Sequence, residues 1–282
     1  GATENTRFDQ NASLRSVSKW YGYLDKPERV PEFMRRAYTM LRSGRPGPVV
    51  LGIPNASATY DETVDPYVSP KGWKSLPDPD DVKIAVEALN RAKKPVLFIG
   101  EGVLYANATD ELRSFAEKAN LPVVTTLKAK GAFPENHPLS VGVRGDHVVK
   151  YMNEADLIFS VGASLSPGRF GHGVPDPISK TIIQCNIDEF DVNRVYESTH
   201  AIIGDAKDTL TSLLTELGDS SSNRTDVTDA VKAEKDSGTK VYRDAMASDE
   251  TPINPYRVYS ELMNTLDRNN SFVTHESGNT RD

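Results

Sequence analysis

The sequence predicts an α/β protein built around a Rossmann-like, doubly wound parallel sheet. From residue 80 onward, short continuous apolar runs alternate with amphipathic stretches of helical period. Runs such as 95–100 (PVLFIG) and 156–162 (DLIFSVG) are apolar at nearly every position, as strands covered on both faces are. Strands that alternate with helices form parallel sheets with helices on both faces. We therefore expect a Rossmann-like central domain over residues 80–218, flanked by partial α/β segments.

The chain before residue 80 predicts a connector, a helix, a strand and a linker. Residues 1–28 have few periodic apolar positions, so an extended connector is expected there. Apolar residues recur with helical spacing over 30–41, and the run SGRPGP that follows ends the helix. The run PVVLGIP at 48–54 predicts a buried strand bounded by proline at both ends. Residues 55–79, rich in Pro, Asp and Ser, predict a linker between domains.

Within the central domain, predicted helices and strands alternate along the chain. Predicted helices occupy residues 82–91, 110–119, 147–152 and 207–217. Predicted strands occupy residues 95–100, 122–126, 156–162, 181–188 and 200–205. Their carboxyl ends are expected to meet at one edge of the sheet, which is where open α/β sheets bind ligands.

The segment after the central domain predicts a polar connection and the start of another α/β unit. Residues 219–250 are polar and alternate in charge, which predicts an exposed helix over 226–246. Two prolines interrupt the chain, and one more helix then leads into a predicted strand at 271–275. Because the chain stops seven residues later at Asp282, we expect residues 251–282 to be a truncated βα unit.

Composition and charge argue against several classes of function. The net charge of −7, from 33 basic and 40 acidic residues, and the lack of a Lys/Arg cluster argue against nucleic-acid binding. No apolar run approaches the roughly 20 residues that span a bilayer, so a cytoplasmic protein without a membrane partner is expected. Cys185 is the only cysteine and lies in an apolar run, which predicts an inert buried thiol. The five histidines have no metal-ligand spacing, so no protein-bound metal is expected.

Several loops and strand ends carry residues that could contact a nucleotide. Gly100 and Gly102 follow a strand, but Tyr105 replaces the third glycine of the dinucleotide-binding fingerprint, so a tight loop is the alternative. Asp188 could accept a hydrogen bond from a ribose hydroxyl, or it could cap the short helix that follows. Arg144 could clamp a phosphate, or it could form a surface salt bridge. The residue pattern alone leaves both interpretations of each position open.

Four segments of the chain carry the signature of one protein family. They are SGRPGPVVLGIP at 43–54, LPVVTTLKAKGAFPENHPLSVGVRG at 121–145, ADLIFSVGASLS at 155–166 and IIGDAKDTL at 202–210. Together they resemble thiamine diphosphate-dependent enzymes of the acetolactate synthase, pyruvate oxidase and 2-oxo acid decarboxylase family. The resemblance implies that residues 1–54 end the pyrimidine-binding domain, that 80–218 form the central domain, and that 251–282 begin the diphosphate-binding domain.

The resemblance also implies cofactors and the residues that contact them. The intact enzyme would use thiamine diphosphate with Mg²⁺, and the central domain of relatives binds FAD, ADP or nothing. Matching nucleotide-contact positions are Gly100, Gly102, Thr126, Leu127, Arg144, Gly162, Asp188, Asp205 and Ala206. Positions that match contacts to the diphosphate of thiamine are Gly278, Asn279 and Thr280. Synthase relatives often carry an arginine shortly after the strand-end glycine, whereas Ala163 and Ser164 follow here. This difference weakens the FAD interpretation and leaves an ADP-like nucleotide or an empty site open.

The function implied by the resemblance is decarboxylation or ligation of a small-molecule 2-oxo acid, by a homodimer or homotetramer in the intact enzyme. The family's catalytic glutamate would precede Gly1, and its GDG…N motif, which holds magnesium, would follow Asp282. We therefore assign no catalytic or metal-binding residue and expect this chain to be inactive alone. A non-catalytic nucleotide-binding or assembly module is the alternative. A sirtuin-type deacylase fits less well, because the chain has no cysteine cluster for structural zinc.

Overall fold

The computed structural model describes residues 9–53, 60–167, 173–218 and 224–274. Its first part is a small unit in which two helices accompany a pair of parallel strands. The elements are α1 (Gln10–Ser16), β1 (Trp20–Tyr23), α2 (Val30–Arg42) and β2 (Val49–Gly52). The helix predicted at 30–41 and the strand predicted within 48–54 are therefore confirmed.

The extended connector expected over residues 1–28 is wrong for the part that the structure describes. Asp9 accepts a hydrogen bond from the N–H of Ala12 at 3.0 Å and so caps α1. Since α1 has no buried residue, it carries no apolar stripe that a sequence pattern could reveal. β1 pairs in parallel with β2, with Trp20 opposite Val49. β2 is half-buried rather than buried, because in the described ranges it belongs to a two-stranded sheet.

The central domain is a six-stranded sheet with helices on both faces. Its elements in chain order are α3 (Pro79–Arg91), β3 (Pro95–Ile99), α4 (Gly102–Tyr105), α5 (Thr109–Ala119), β4 (Val123–Thr125), β5 (Ser140–Gly142), α6 (Asp146–Glu154), β6 (Leu157–Val161), β7 (Thr181–Asn186), β8 (His200–Ile203) and α7 (Ala206–Leu217). All strand pairs are parallel, in the order β5-β4-β3-β6-β7-β8. Chain order reverses between β3 and β6, as it does in a doubly wound Rossmann sheet. The predicted fold class is confirmed.

Each face of this sheet has its own hydrophobic core. Leu97 and Ile99 of β3 lie in one core together with Phe115 and Phe159, whose ring centroids are 5.6 Å apart. Val96, one position along the same strand, lies in the other core. Every residue of β3 and β6 is buried. Burial on both faces explains why these strands are continuous apolar runs rather than alternating patterns.

The sheet differs from the prediction at β5 and at two strand ends. β5 has three residues, which is too few for a periodic pattern to show, and the sequence does not predict it. The strands predicted at 181–188 and 200–205 each end two residues earlier. The predicted ligand positions Asp188 and Asp205 consequently lie in the loops that follow these strands, at the carboxyl edge of the sheet.

The segment that follows the central sheet forms α8 (Val227–Gly238), α9 (Lys240–Met246) and α10 (Pro255–Thr265). The single exposed helix predicted over 226–246 is wrong, because the helix is interrupted at Thr239 and α8 packs on the central domain. Val231 of α8 is buried in a core of the central sheet. The contact depends on Gly238, where an added Cβ would lie 2.8 Å from Nδ1 of His147. α8 packs through Val231, the partly buried Val227 and Gly238, so it has no broad apolar face and its sequence is polar.

The last described residues contain a helix but no strand. Asn254 caps α10 by accepting a hydrogen bond from the N–H of Tyr256 at 3.0 Å, and no α10 residue is buried. The strand predicted at 271–275 is wrong over 271–274, and His275 lies outside the described residues. Phe272 is 92% exposed, and an isolated segment forms no strand without a partner. Nowhere in the described ranges is a helix long and apolar enough to cross a bilayer.

Candidate functional site

A cleft of about 1100 Å³ lies at the carboxyl ends of the central strands. It opens at the reversal of strand order between β3 and β6, where open α/β sheets bind ligands. The predicted nucleotide contacts that line it are Gly100, Gly102, Thr126, Leu127, Gly162, Asp188, Asp205 and Ala206. Arg144 is exposed on the loop before α6 and does not line the cleft, although its neighbour Val143 does. The predicted thiamine diphosphate contacts, Gly278, Asn279 and Thr280, lie outside the described residues.

Gly100, Gly102 and Gly162 allow the loop after β3 to contact the loop after β6 at the base of the cleft. A Cβ added to Gly102 would lie 2.8 Å from the Cα of Gly162, which itself has a φ of +65°. The N–H of Gly102 donates to the carbonyl oxygen of Gly162 at 3.0 Å and is therefore not available to a phosphate. α4, which begins at Gly102, has only four residues and offers little helix dipole. The geometry thus favours the tight-loop interpretation of these glycines.

Asp188 and Thr126 act as caps where the chain leaves two strands. Oδ1 of Asp188 accepts a hydrogen bond from the N–H of Phe190 at 3.2 Å. Oγ1 of Thr126 accepts one from the N–H of Ala129 at 3.3 Å. Each side chain caps a short 3-10 turn. Because capping uses only one carboxylate oxygen, Asp188 can be a cap and still accept a hydrogen bond from a ligand hydroxyl.

Asp205 ties the predicted linker to the edge of the cleft. Its Oδ1 accepts a hydrogen bond from the N–H of Lys207 at 3.1 Å, which caps α7. The same oxygen pairs with Nζ of Lys74 at 2.9 Å. The backbone N–H of Asp205 donates to the carbonyl oxygen of Ser75 at 2.9 Å. Lys74 lines the cleft and is a residue that the sequence interpretation missed, because its partner is 131 positions away.

Two arginines give one wall of the cleft a positive charge. Arg45, from the loop before β2, and Arg194 both pair with the buried carboxylate of Asp191, and the Arg194 Nη1–Asp191 Oδ1 distance is 2.9 Å. Their guanidinium groups lie 4.8 and 5.7 Å from the ring centroid of Phe190. Since two guanidinium groups share one carboxylate, this arginine wall suits an anionic ligand. The sequence interpretation missed it, because Arg45 and Asp191 are 146 positions apart and the SGRPGP run was its only signal.

Cys185 lines the floor of the cleft as an unreactive thiol. It is fully buried, and burial raises the pKa of its thiol well above the ordinary value. The thiolate needed for nucleophilic attack is therefore absent near neutral pH. In the described parts of the chain, no group of three or more His, Cys, Asp or Glu side chains could hold a metal ion. The chemistry that this cleft supports is binding, through cations, backbone groups and an apolar floor.

The chain is similar in sequence and in structure to thiamine-dependent enzymes. Residues 82–213 match the family described as "Thiamine pyrophosphate enzyme, central domain". The chain is 34% identical over 217 residues to the acetolactate synthase large subunit of Corynebacterium glutamicum, which covers 73% of this chain and 35% of the relative. It is 34% identical over 193 residues to the acetolactate synthase isozyme 1 large subunit of Escherichia coli, which covers 66% of this chain and 34% of the relative.

A solved structure from Mycobacterium smegmatis, assigned as a thiamin diphosphate-dependent enzyme, shares the fold. It aligns with a TM-score of 0.63 and 28% identity, over 77% of this chain and 42% of that chain. The chain thus spans about a third of the length of the two curated relatives, at 35% and 34%.

Proposed function

Because the chain belongs to the thiamine pyrophosphate enzymes, we propose that it is part of an acetolactate synthase-like enzyme that decarboxylates or ligates 2-oxo acids. The support comes from the family match over residues 82–213 and from relatives named acetolactate synthase. The activity is proposed for the whole enzyme, since the chain spans only 35% and 34% of those relatives. The whole enzyme is proposed to be a homodimer or a homotetramer.

Within this enzyme, the central domain is proposed to bind a nucleotide, FAD or ADP, in the cleft at the carboxyl edge of the sheet. The observation that carries the proposal is the arginine wall of the cleft, which Asp188 also lines. Arg45 and Arg194 would hold the phosphates, because guanidinium groups bind phosphate oxygens in pairs. Asp188 would accept a hydrogen bond from a ribose hydroxyl. Side chains would recognise the phosphates here, because the N–H of Gly102 already donates to the carbonyl oxygen of Gly162.

The size of the cleft accommodates either nucleotide. Pockets for drug-sized ligands enclose roughly 300–1,000 Å³. The cleft, at about 1100 Å³, is slightly larger than that range. The choice between FAD and ADP depends on the loop after Gly162, where Ala163 and Ser164 stand in place of the arginine that is frequent in synthase relatives.

The described residues do not fit thiamine diphosphate with Mg²⁺. They contain no group of three or more His, Cys, Asp or Glu side chains that could hold a metal ion. The 282 residues contain no Gly-Asp-Gly run. We therefore propose that these residues alone do not turn over a 2-oxo acid. Release of carbon dioxide from pyruvate by the purified 282-residue chain, supplied with thiamine diphosphate and Mg²⁺, would contradict this.

Calorimetric titration with ADP, FAD and adenosine tests the nucleotide proposal. ADP is expected to bind at least about tenfold more tightly than adenosine, because adenosine makes no contact to the arginine wall. Arg194→Gln is expected to weaken ADP and leave adenosine unchanged. Arg91→Gln, on an exposed position of α3, is the matched control. Equal affinities for ADP and adenosine, or no binding of any of the three, would overturn the proposal.

A non-catalytic nucleotide-binding or assembly module is the second candidate. It is favoured by the exposed apolar side chains of α10, which include Val258, Leu262 and Met263 and suit a partner surface. Nucleotide binding does not separate the two candidates, since both include it. Consumption of a 2-oxo acid by the complete protein separates them, because only the enzyme consumes substrate.

A further inference from the structure

A buried glutamine, Gln184, contacts the loops that border the cleft without lining the cleft itself. It is the fourth residue of β7, and only 2% of its surface is exposed. Its neighbours along the strand, Ile183 and Cys185, are buried in a hydrophobic core. Burying a side-chain amide costs free energy unless its polar groups find hydrogen-bond partners. The partners of Gln184 therefore indicate its role.

The amide nitrogen of Gln184 joins the two loops on either side of β7. Nε2 donates to the carbonyl oxygen of Ala163, in the loop after β6, at 3.3 Å. It also donates to the carbonyl oxygen of Asp191, in the loop after β7, at 3.2 Å. Ala163 and Asp191 both line the cleft. Since an amide nitrogen has two N–H groups, each loop can accept one of them.

The amide oxygen of Gln184 holds the loop after β7 at a second point. Oε1 accepts a hydrogen bond from the hydroxyl of Ser198 at 2.9 Å. Ser198 lies two residues before β8, and its backbone N–H donates to Oδ1 of Asn193 at 2.8 Å. Gln184 therefore holds this loop at Asp191 and at Ser198, and Arg194 lies between these two points.

The same contacts fix the carboxylate that both arginines of the arginine wall share. The buried side chain of Asp191 pairs with Arg45 and with Arg194. Because Gln184 holds the backbone of Asp191, the carboxylate and the two guanidinium groups are held in defined positions. Groups that are fixed before a ligand binds reduce the entropy cost of binding.

We propose that Gln184 is a positioning residue for phosphate binding at the arginine wall. It acts through the backbone of Asp191 and the hydroxyl of Ser198, and not by contact with the ligand. The choice of ligand rests on the nucleotide function proposed above. The effect of Gln184 on the two arginines does not depend on that function.

Calorimetric titration of Gln184→Met with ADP and adenosine tests the proposal. Methionine is unbranched and adaptable, so it fits the buried strand but cannot make the hydrogen bonds to Ala163, Asp191 and Ser198. We expect the affinity for ADP to fall at least about tenfold and that for adenosine to stay within about twofold, because adenosine makes no contact to the arginine wall. Equal weakening of both ligands, or an unchanged affinity for ADP, would overturn the proposal.

Lys180→Met is the matched control, just before the other end of β7. Lys180 is also buried, and its Nζ donates to the backbone carbonyl oxygens of Asn153 and Ala155, at 2.8 and 2.7 Å. The control thus removes as many donated hydrogen bonds beside the same strand, but none at the cleft. It is expected to leave the affinities for ADP and adenosine unchanged. An equal loss of ADP binding in this control would mean a general loss of structure and would overturn the proposal.

Labelling with phenylglyoxal, a reagent that modifies guanidinium groups, gives a readout that needs no nucleotide. Mass spectrometry of peptides from the full chain measures the rate of labelling at each arginine. In Gln184→Met, Arg45 and Arg194 are expected to react at least about threefold faster than in the parent. Arg91, on an exposed position of α3, is expected to react at the parental rate.

A second variant keeps the test independent of how Gln184→Met folds. Ser198→Ala, at a half-buried loop position, removes one contact of Gln184 and is expected to speed labelling of Arg45 and Arg194 by a smaller factor. If Gln184→Met does not fold, Ser198→Ala alone decides. Parental labelling rates at both arginines in the folded variants would overturn the proposal. Failure of ADP to bind the parent would count against the proposed function alone.

Discussion

Single glycine residues fix the distance between the two loops at the base of the cleft. A Cβ on Gly100 would overlap backbone atoms of Gly162 and Ala163. Gly100→Ala is therefore expected to lower the free energy of unfolding by about 1–3 kcal/mol, because backbone must move to admit one methyl group. Denaturant titration measures the change. Ser166→Ala, at an exposed position after the second loop, is expected to stay within about 0.5 kcal/mol of the parent. A Gly100→Ala protein as stable as its parent would show that the loops can separate freely.

Another residue, His147, makes stability depend on pH at the contact between α6 and α8. Its side chain is half-buried against Gly238, and Nδ1 has no hydrogen-bond partner in the described structure. Burial, and next the nearby Lys235, lower the pKa of His147, while a hydrogen bond with the backbone of Val141, and then Asp146 and Glu234, act in the other direction. A histidine whose folded pKa is lowered stabilises the protein above its unfolded pKa of about 6.5, and this stabilisation is lost as the pH falls.

The free energy of unfolding is thus expected to decrease as the pH falls from about 7.5 through 6.5 toward the lowered folded pKa. In His147→Gln the decrease is expected to be smaller, because glutamine does not titrate. Denaturant titrations at a series of pH values measure both slopes. Equal slopes in the two proteins would mean that His147 has the same pKa folded and unfolded.

At the scale of elements, α8 has a polar sequence and α10 a more apolar one, yet only α8 has a buried residue. α8 buries Val231 in a core of the central sheet, whereas α10 buries none of its residues. Backbone amides of α10 are expected to exchange with deuterium at least about tenfold faster than those of α8, since little burial resists local opening. Mass spectrometry of peptides from the 282-residue chain measures this, with α5 as a fully packed reference. Equal protection of the two helices would show that another surface covers α10.

Elements buried on both faces could be predicted from the sequence, whereas two short strands, β1 and β5, could not. β3 and β6 are continuous apolar runs, because each of their residues enters one of the two cores. β1 could not be predicted, since its pairing with β2 depends on residues 29 positions apart, such as Trp20 and Val49. The false strand at 271–274 shows the converse, because a β-prone run forms no strand without a neighbour.

Most of the cleft residues could be predicted from their positions at the ends of strands. The ion pairs between residues far apart in the sequence could not be predicted. Gly100 and Asp188 follow their strands, so parallel topology brings them to one edge. Arg45 lies in the loop before β2, and only tertiary structure places it beside Asp191. Sequence patterns report local periodicity, whereas the arginine wall is a property of how two units meet.

Across the whole molecule, two ion pairs tie the N-terminal unit and the linker to the central sheet. They are Arg45 with Asp191, and Lys74 with Asp205 at 2.9 Å. The double variant Arg45→Ala/Lys74→Ala is expected to be cut by thermolysin within residues 60–77 about fivefold faster, since partly exposed pairs contribute up to about 1 kcal/mol each. Limited proteolysis followed by mass spectrometry locates and times the cuts.

The matched control for this experiment is Lys207→Ala. It removes a pair of similar exposure, Lys207 with Glu111 at 3.1 Å, that lies within the central domain. The control is expected to be cut at the parental rate. If the control is cut as fast as the double variant, the faster cleavage is not a specific effect of the two ion pairs on the linker.

Because strand order reverses at β3, one edge of β3 has no partner strand during part of the synthesis of the chain. β3 ends at Ile99, and its neighbour β6 begins 58 positions later, at Leu157. A ribosome that adds about 5–20 residues per second supplies β6 roughly 3–12 s after β3. During that interval β4 and β5 can cover one side of β3, while its other side is an open hydrogen-bonding edge that can join a strand of another nascent chain. The sheet is therefore more prone to aggregation during synthesis on crowded polysomes than in the finished protein.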